Sequence, residues 1–259
     1  MTLADEIMPN ARFLTAEWRH LAMLNYEIDP DVLLPLVPAG TELDLWHGRA
    51  LVSIDAFMFT EARLLGVMVP WHRSFEEVNL RFYVRRAAPE GWRRAVVFVK
   101  EIAPRRAIAW VAHTIYGENY AVMPMGHRLP DEDEGAGIGH SVAYWWMCHG
   151  RKNQLDITTH GAAHLPQPDT EAEFVTEHYW AYTGGGQRRT FEYRVEHPRW
   201  QVTMARQARL DCDVANIYGP RFVEPLAEPP SSAFLVDGSA VTVFTRTEIA
   251  VAEVCYGTA

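Results

Sequence analysis

The chain has 259 residues, 48% of them hydrophobic and 22% charged, enough to bury a sizeable core in one large unit or two small ones. Its formal net charge of -9 and pI near 5.6 argue against an electrostatic binder of nucleic-acid backbones. The three scattered cysteines, Cys148, Cys212 and Cys255, supply no disulfide framework or paired metal motif, and no apolar run is long enough to span a bilayer.

The first residues, MTLADEIMPNARF, are polar and acidic, with no apolar stretch behind a basic start. The expectation is a soluble protein of a reducing compartment, the cytoplasm, with no membrane or nucleic-acid partner. Only two of the 24 basic residues are lysines, Lys100 and Lys152, which narrows any amine chemistry to two candidates.

In chain order, Asp29-Pro30-Asp31 opens a short helix: an Asp cap, a proline in the first turn, then Val32, Leu33, Leu34 and Leu36 before Pro38. Most of the remainder alternates at period two and breaks at Gly, Pro or Asp. Strands are predicted over 43–46, 49–60, 78–85, 94–101, 108–116, 141–147, 154–160, 189–195, 201–210 and 240–248. Residues 106–116 fit a helical period equally well, and a second helix is predicted over 172–180. LPDEDEGAGIG (129–139) and TGGGQRR (183–189) read as loops. No repeat is present, and a single β-rich domain over residues 1–259 is the simplest organisation.

The segment from Glu77 to Val84 carries the most information. Glu77, Asn79, Arg81 and Tyr83 occupy one face, and Val78, Leu80, Phe82 and Val84 the other. The polar row is either a solvated outer face or the lining of an interior, with Glu77 and Arg81 placed to pair across Asn79. Asp55 interrupts the apolar run from Leu51 to Phe59, so if buried it must be paired, hydrogen-bonded or shifted in pKa.

The histidines do not make a metal site. His160 and His164 are four apart, but the intervening glycine and following proline oppose a helix presenting both. His178, in EHYWAY, reads as a packed, hydrogen-bonded histidine. GHSVA lacks the second glycine of a nucleophile elbow, and with no GxGxxG or P-loop no cofactor is expected. The aromatics crowding the C-terminal half pack a core or wall an apolar pocket.

Taken together, NYEIDPDVLLPLVPAGTEL, ALVSIDAFMFTEARLLG, FEEVNLRFYV, VVFVKEIAPRRAIAWVA, TEHYWAYT, EYRVEHPRW and FLVDGSAVTVF resemble the YqjF-like, or DUF2071, family of uncharacterised proteins. That family is similar in turn to the acetoacetate decarboxylase superfamily, most strongly over residues 19–106. The resemblance implies an α+β, β-rich fold: a closed cone or barrel of strands around a small pocket, with smaller flanking sheets and few short helices. It also implies a small-molecule ligand, carboxylated or keto-type, and possible assembly into homo-oligomers.

The decarboxylases form a Schiff base on a lysine of depressed pKa. By the resemblance, their site arginine falls on Arg19, beside His20, and their glutamate on Asp55. Their lysine stretch becomes Val99-Lys100-Glu101…Pro104-Arg105-Arg106, so Arg105 stands where the imine-forming lysine would be. A guanidinium stays protonated and forms no imine. The ordinary decarboxylase route is therefore not expected. Either Lys100 supplies a displaced amine, or Arg105 and Arg106 grip an anion in bidentate fashion. The candidate catalytic residues are Glu77, Asp55, Lys100 and Glu101, and the candidate binding residues are Arg19, Asn79, Arg81, Arg105 and Arg106. An enzyme of lyase or hydrolase type, a non-catalytic ligand receptor and, least favoured, a purely structural protein remain open.

Overall fold

The structure is a computed structural model describing residues 10–68, 74–104, 119–130, 140–184 and 189–249. The longest strand, β1 (Arg12–Ile28), lies where no strand is predicted. Its alternation is broken at His20, whose φ of 55° and the register shift between Arg19 and Ala22 form a bulge. The bulge lets both Trp18 and Leu21 face inward. Opposite it, Gly238 pairs with Arg19 at φ 76°, and a Cβ there would lie 2.0 Å from the Trp18 carbonyl oxygen. Only glycine fits that position.

Helix α1 (Pro30–Leu33) begins as predicted, with the Asp29 side chain accepting from the Asp31 N–H, and runs into a 3-10 turn at Leu34–Leu36. Strands β2 (Glu42–Leu43), β3 (Ala50–Leu64), β4 (Val67–Met68), β5 (Ser74–Ala88) and β6 (Gly91–Ala103) follow. Then come β7 (Tyr120–Val122), β8 (Met125–Arg128), β9 (Ser141–Cys148), β10 (Arg151–Thr159) and helix α2 (Glu171–Thr176). The chain closes with β11 (Trp180–Gly184), β12 (Thr190–Glu196), β13 (Val202–Asp211), helices α3 (Val214–Ile217) and α4 (Val223–Ala227), β14 (Ser232–Phe244) and β15 (Thr247–Ile249).

The helix predicted over 172–180 stops at Thr176. The aromatic run that follows favours extended backbone, and Trp180 and Ala181 pair in parallel with Ala95 and Val96 of β6. Strand β14 begins well before the predicted 240. The alternative strand or helix at 106–116, residues 131–139 of the acidic loop and residues 185–188 lie outside the described residues.

Pairing runs β14-β1-β3-β5-β6-β11-β12, and β12 pairs back to β14, so these strands close a ring. A second layer, β13-β10-β9-β8, continues from β14 through β13 and folds over the ring's outer face. Both faces of β3 and β5 are therefore covered. Val52, Ile54, Val78, Leu80 and Phe82 face outward and join a core with Tyr144, Trp146 and Ile157 of the second layer. Phe57, Phe59, Phe75 and Tyr83 face into the ring and join a second core with Tyr193, Trp200 and Phe234. This double covering explains why β3 is buried from Ala50 to Phe59 without interruption. Among the described residues no helix is long and apolar enough to cross a membrane.

Candidate functional site

The inner core is not completely filled. A cavity of about 190 Å³ lies inside the ring, walled largely by aromatic rings that include Trp18, Phe57, Phe59, Phe75, Trp180 and Trp200. At one end the wall turns polar, with Asp55, Glu77, Asn79, Arg81, Glu101 and Tyr120. This polar end is the inward row of β5 extended onto both neighbouring strands, so the interior reading of that row is the one the fold adopts.

Register explains the clustering. Met23, Asp55, Asn79, Glu101 and Tyr120 are successive partners across β1, β3, β5, β6 and β7. One rung of the sheet thus brings two carboxyls, an amide and a phenol side by side. Glu77 and Arg81 flank Asn79 along β5, and reach the rung by diagonal contacts. Arg81 Nε lies 3.3 Å from Asp55 Oδ1. Tyr120 donates from its hydroxyl to Glu77 Oε2 at 2.7 Å, and Asn79 Nδ2 donates to Glu77 Oε1 at 3.1 Å. The expected pair of Glu77 with Arg81 does not form. Four residues of strand separate their backbones by about 13 Å, whereas the cross-strand diagonals are shorter.

These groups are sealed from water. Asp55 is 2% exposed and Glu77 3%, so burial dominates their protonation. Burial raises Asp55 to about 6, against the pull of Arg81 in the opposite direction. Burial also raises Glu77, and the charge of Asp55 adds to this; the hydrogen bonds from Tyr120 and Asn79 work the other way. Burial is the largest influence on Arg81 and opposes its charge, but the attraction of Asp55 and the interactions with Tyr83 together outweigh it, so Arg81 stays charged. The floor of the cavity therefore holds carboxyl groups able to keep or release a proton near neutrality.

The other sequence candidates are placed differently. Lys100 is on β6, but a register shift leaves Val99 without a partner between Leu80↔Lys100 and Arg81↔Phe98. The bulge inverts alternation, so Val96, Phe98 and Glu101 face the cavity. Lys100 points to the opposite face and donates from Nζ to the Ile217 carbonyl at 2.5 Å. Lys152, on β10, lies over the Trp145 ring in the second layer. Neither lysine of the chain lines the cavity. Arg19 sits at the β1 bulge, half-exposed, and pairs with Glu17 at 3.0 Å, also off the cavity. Arg105 and Arg106 lie outside the described residues.

Several cavity residues were not anticipated by the sequence reading, Tyr120, Trp18 and His178 among them. Tyr120 follows an uninterpretable stretch and becomes visible only through its pairing with Glu101. Trp18 belongs to the unpredicted β1. His178 is packed as expected, but its ring nitrogens carry no hydrogen bond. Among the described residues no group of three or more His, Cys, Asp or Glu is arranged to hold a metal ion.

Comparison with known proteins places the chain in a family and a fold. The DUF2071 family, an uncharacterized conserved protein family, matches residues 15–240. The uncharacterized protein YqjF of Bacillus subtilis is 29% identical over 190 residues, covering 70% of this chain and 72% of its own. Among solved structures, the enduracididine biosynthesis enzyme MppR complexed with pyruvate superposes with a TM-score of 0.63 at 13% identity, over 95% of this chain and 93% of that one. Acetoacetate decarboxylase from Legionella pneumophila superposes with a TM-score of 0.62 at 12% identity, over 93% and 88%. At such identities the likeness is one of fold: the architecture is acetoacetate decarboxylase-like, β-rich with few short helices.

Proposed function

The chain belongs to the DUF2071 family, and on that premise we propose that it is an acid–base enzyme acting on a small keto-type metabolite without forming an imine. The observation that carries this reading is the buried carboxyl floor, Asp55 and Glu77, at the end of an aromatic-walled cavity that no lysine enters. The apolar walls suit the carbon body of a ligand, and its carbonyl would be turned to the polar floor.

In this reading Glu77, with its pKa raised, exchanges a proton with the ligand, and Tyr120 holds its carboxyl in place. Arg81 stabilises the negative charge that builds on the carbonyl oxygen, and Asp55, ionised above a pH of about 6, holds the guanidinium in place. Such a site supports enolisation, and with it the lyase-type steps that pass through an enol. Glu101 belongs to the same floor. An anionic group on the ligand is assigned to Arg105 and Arg106 on chemistry alone, since a guanidinium pairs with a carboxylate in bidentate fashion. The keto character is supported further by the fold neighbour whose structure holds pyruvate.

Acetophenone, pyruvate and acetoacetate, titrated in turn and followed by ligand-observed NMR and by borohydride reduction with mass spectrometry, test the reading. Binding without a reduced adduct on Lys100 or Lys152 is expected. An adduct on either lysine, or binding of none of the three, overturns it.

A further inference from the structure

Beside the rung of the site runs a second polar rung, of which the chemistry above uses Arg81 alone. Ser232, Asn25, Ser53 and Arg81 are successive partners across β14, β1, β3 and β5. They lie two residues along from Met23, Asp55 and Asn79, on the same face. Asn25 and Ser53 are fully buried, and Tyr83 is 1% exposed. Their side chains form one hydrogen-bonded chain. The Tyr83 hydroxyl meets Ser53 Oγ, and Ser53 Oγ donates to Asn25 Oδ1 at 2.6 Å. Asn25 Nδ2 donates to Ser232 Oγ at 2.9 Å, and Ser232 Oγ donates to Glu171 Oε1 at 2.6 Å. Glu171 opens α2 with its side chain 10% exposed. Ser231 Oγ donates to the same oxygen, and Arg49 Nη2 stands 3.9 Å from Oε2.

The carboxylate end fixes the direction of every bond. A carboxylate only accepts, so Ser232 donates to it, and the Ser232 oxygen accepts from the Asn25 amide. That turns Asn25 Oδ1 to Ser53, Ser53 commits its proton there, and the Tyr83 hydroxyl donates to Ser53. The Tyr83 oxygen is left with lone pairs, and Arg81 is beside it: the guanidinium carbon lies 5.9 Å from the Tyr83 ring centroid. Asp55 holds the charge of Arg81 without aiming it. Arg81 Nε and Asp55 Oδ1 are 3.3 Å apart, yet they do not meet as an aligned hydrogen bond. Arg81 Nη2 meets the Met23 sulfur, a weak acceptor, at 4.0 Å. The amide in the middle of the chain passes no proton on, so the chain orients rather than conducts. A polar chain through a dry core is costly unless every member is bonded, and apolar side chains would fill the same space at less cost.

We propose that Tyr83 is a positioning residue: the chain anchored on Glu171 presents its phenol oxygen to Arg81 and so sets the direction of the guanidinium that faces the ligand's carbonyl oxygen. Ser53 and Asn25 transmit that orientation. This rests on the reading of the cavity as an acid–base site for ketones, and the test separates the two.

Deuterium exchange at the methyl group of acetophenone in D2O, with affinity followed by NMR titration, reads this role. Tyr83→Phe keeps the packed ring; it is expected to bind acetophenone within about twofold of wild type and to exchange it about tenfold more slowly. Ser53→Ala, which frees the phenol to turn, is expected to lose about threefold, again in rate and not in affinity. Should the phenylalanine variant fail to fold, Ser53→Ala takes its part. In an Arg81→Met background neither substitution is expected to slow exchange further, because Tyr83 acts only through Arg81. An unchanged rate, a loss carried by affinity, or the same tenfold loss in the Arg81→Met background overturns the role of Tyr83 and leaves the cavity reading standing. If wild-type protein exchanges acetophenone no faster than buffer, the acid–base reading falls and the positioning role with it.

Discussion

Strands β3 and β5 have two faces that are equally dry and quite different in character. On the outer face Val52, Ile54, Val78, Leu80 and Phe82 are fully buried against the second layer. On the inner face Asp55, Glu77 and Asn79 are 2–3% exposed, yet they border unfilled volume. Burial alone therefore does not separate core from site. The outer face is packed solid with carbon, whereas the inner face combines buried charge with empty space, a combination that packing energy alone does not favour.

The largest effect is expected on the outer face. Phe82→Ala should cost about 3–5 kcal/mol in urea unfolding, because the solid packing there cannot collapse into the gap. A loss below about 1 kcal/mol would mean that the outer face is not packed as described.

On the inner face, Arg81→Met strips Asp55 of its partner. About 3 kcal/mol of destabilisation is expected at pH 8, and markedly less at pH 5, where Asp55 takes up a proton. A loss independent of pH would contradict the ion pair.

A smaller and more specific effect is expected from Asp55→Asn. Burial raises the folded-state pKa of Asp55 to about 6, so the folded chain holds a proton that the unfolded chain releases near pH 4. The stability linked to that proton is fully present below pH 4 and is lost as pH rises through 6. Asparagine cannot ionise, so the variant should gain on wild type by about 2 kcal/mol between pH 4 and pH 7. His178 works in the opposite sense, its folded pKa of about 4 giving stability above pH 6.5 that is lost as pH falls. The difference between variant and wild type cancels that contribution. A difference flat with pH would refute the shift at Asp55.

The smallest effect belongs outside both faces. Arg19→Ala, at a half-exposed pair with Glu17, should change stability by no more than about 0.5 kcal/mol and leave acetophenone binding unchanged.

Much of the inner face was legible in the sequence. The alternation of Glu77, Asn79, Arg81 and Tyr83, and the lone Asp55 in an apolar run, marked a polar row that fits either a solvated face or the lining of an interior. Alternation within one strand could not show which strands lie alongside, so the rung joining Asp55, Asn79, Glu101 and Tyr120 stayed hidden until register was known. Bulges hid more. The one at Val99 turns Lys100 out and Glu101 in, and the one at His20 masked the alternation of β1 and with it Trp18. Burial of His178 could be guessed from its aromatic neighbours, but the vacancy at its nitrogens depends on distances that no local pattern encodes.

Deuterium incorporation at the methyl group of acetophenone in D2O, followed by proton NMR, tests the central claim most directly. Wild-type protein is expected to speed exchange well above the buffer rate, with Glu77→Gln losing about 100-fold of that acceleration. Acetophenone that binds in the cavity yet exchanges no faster than in buffer would contradict acid–base catalysis and leave the protein a receptor.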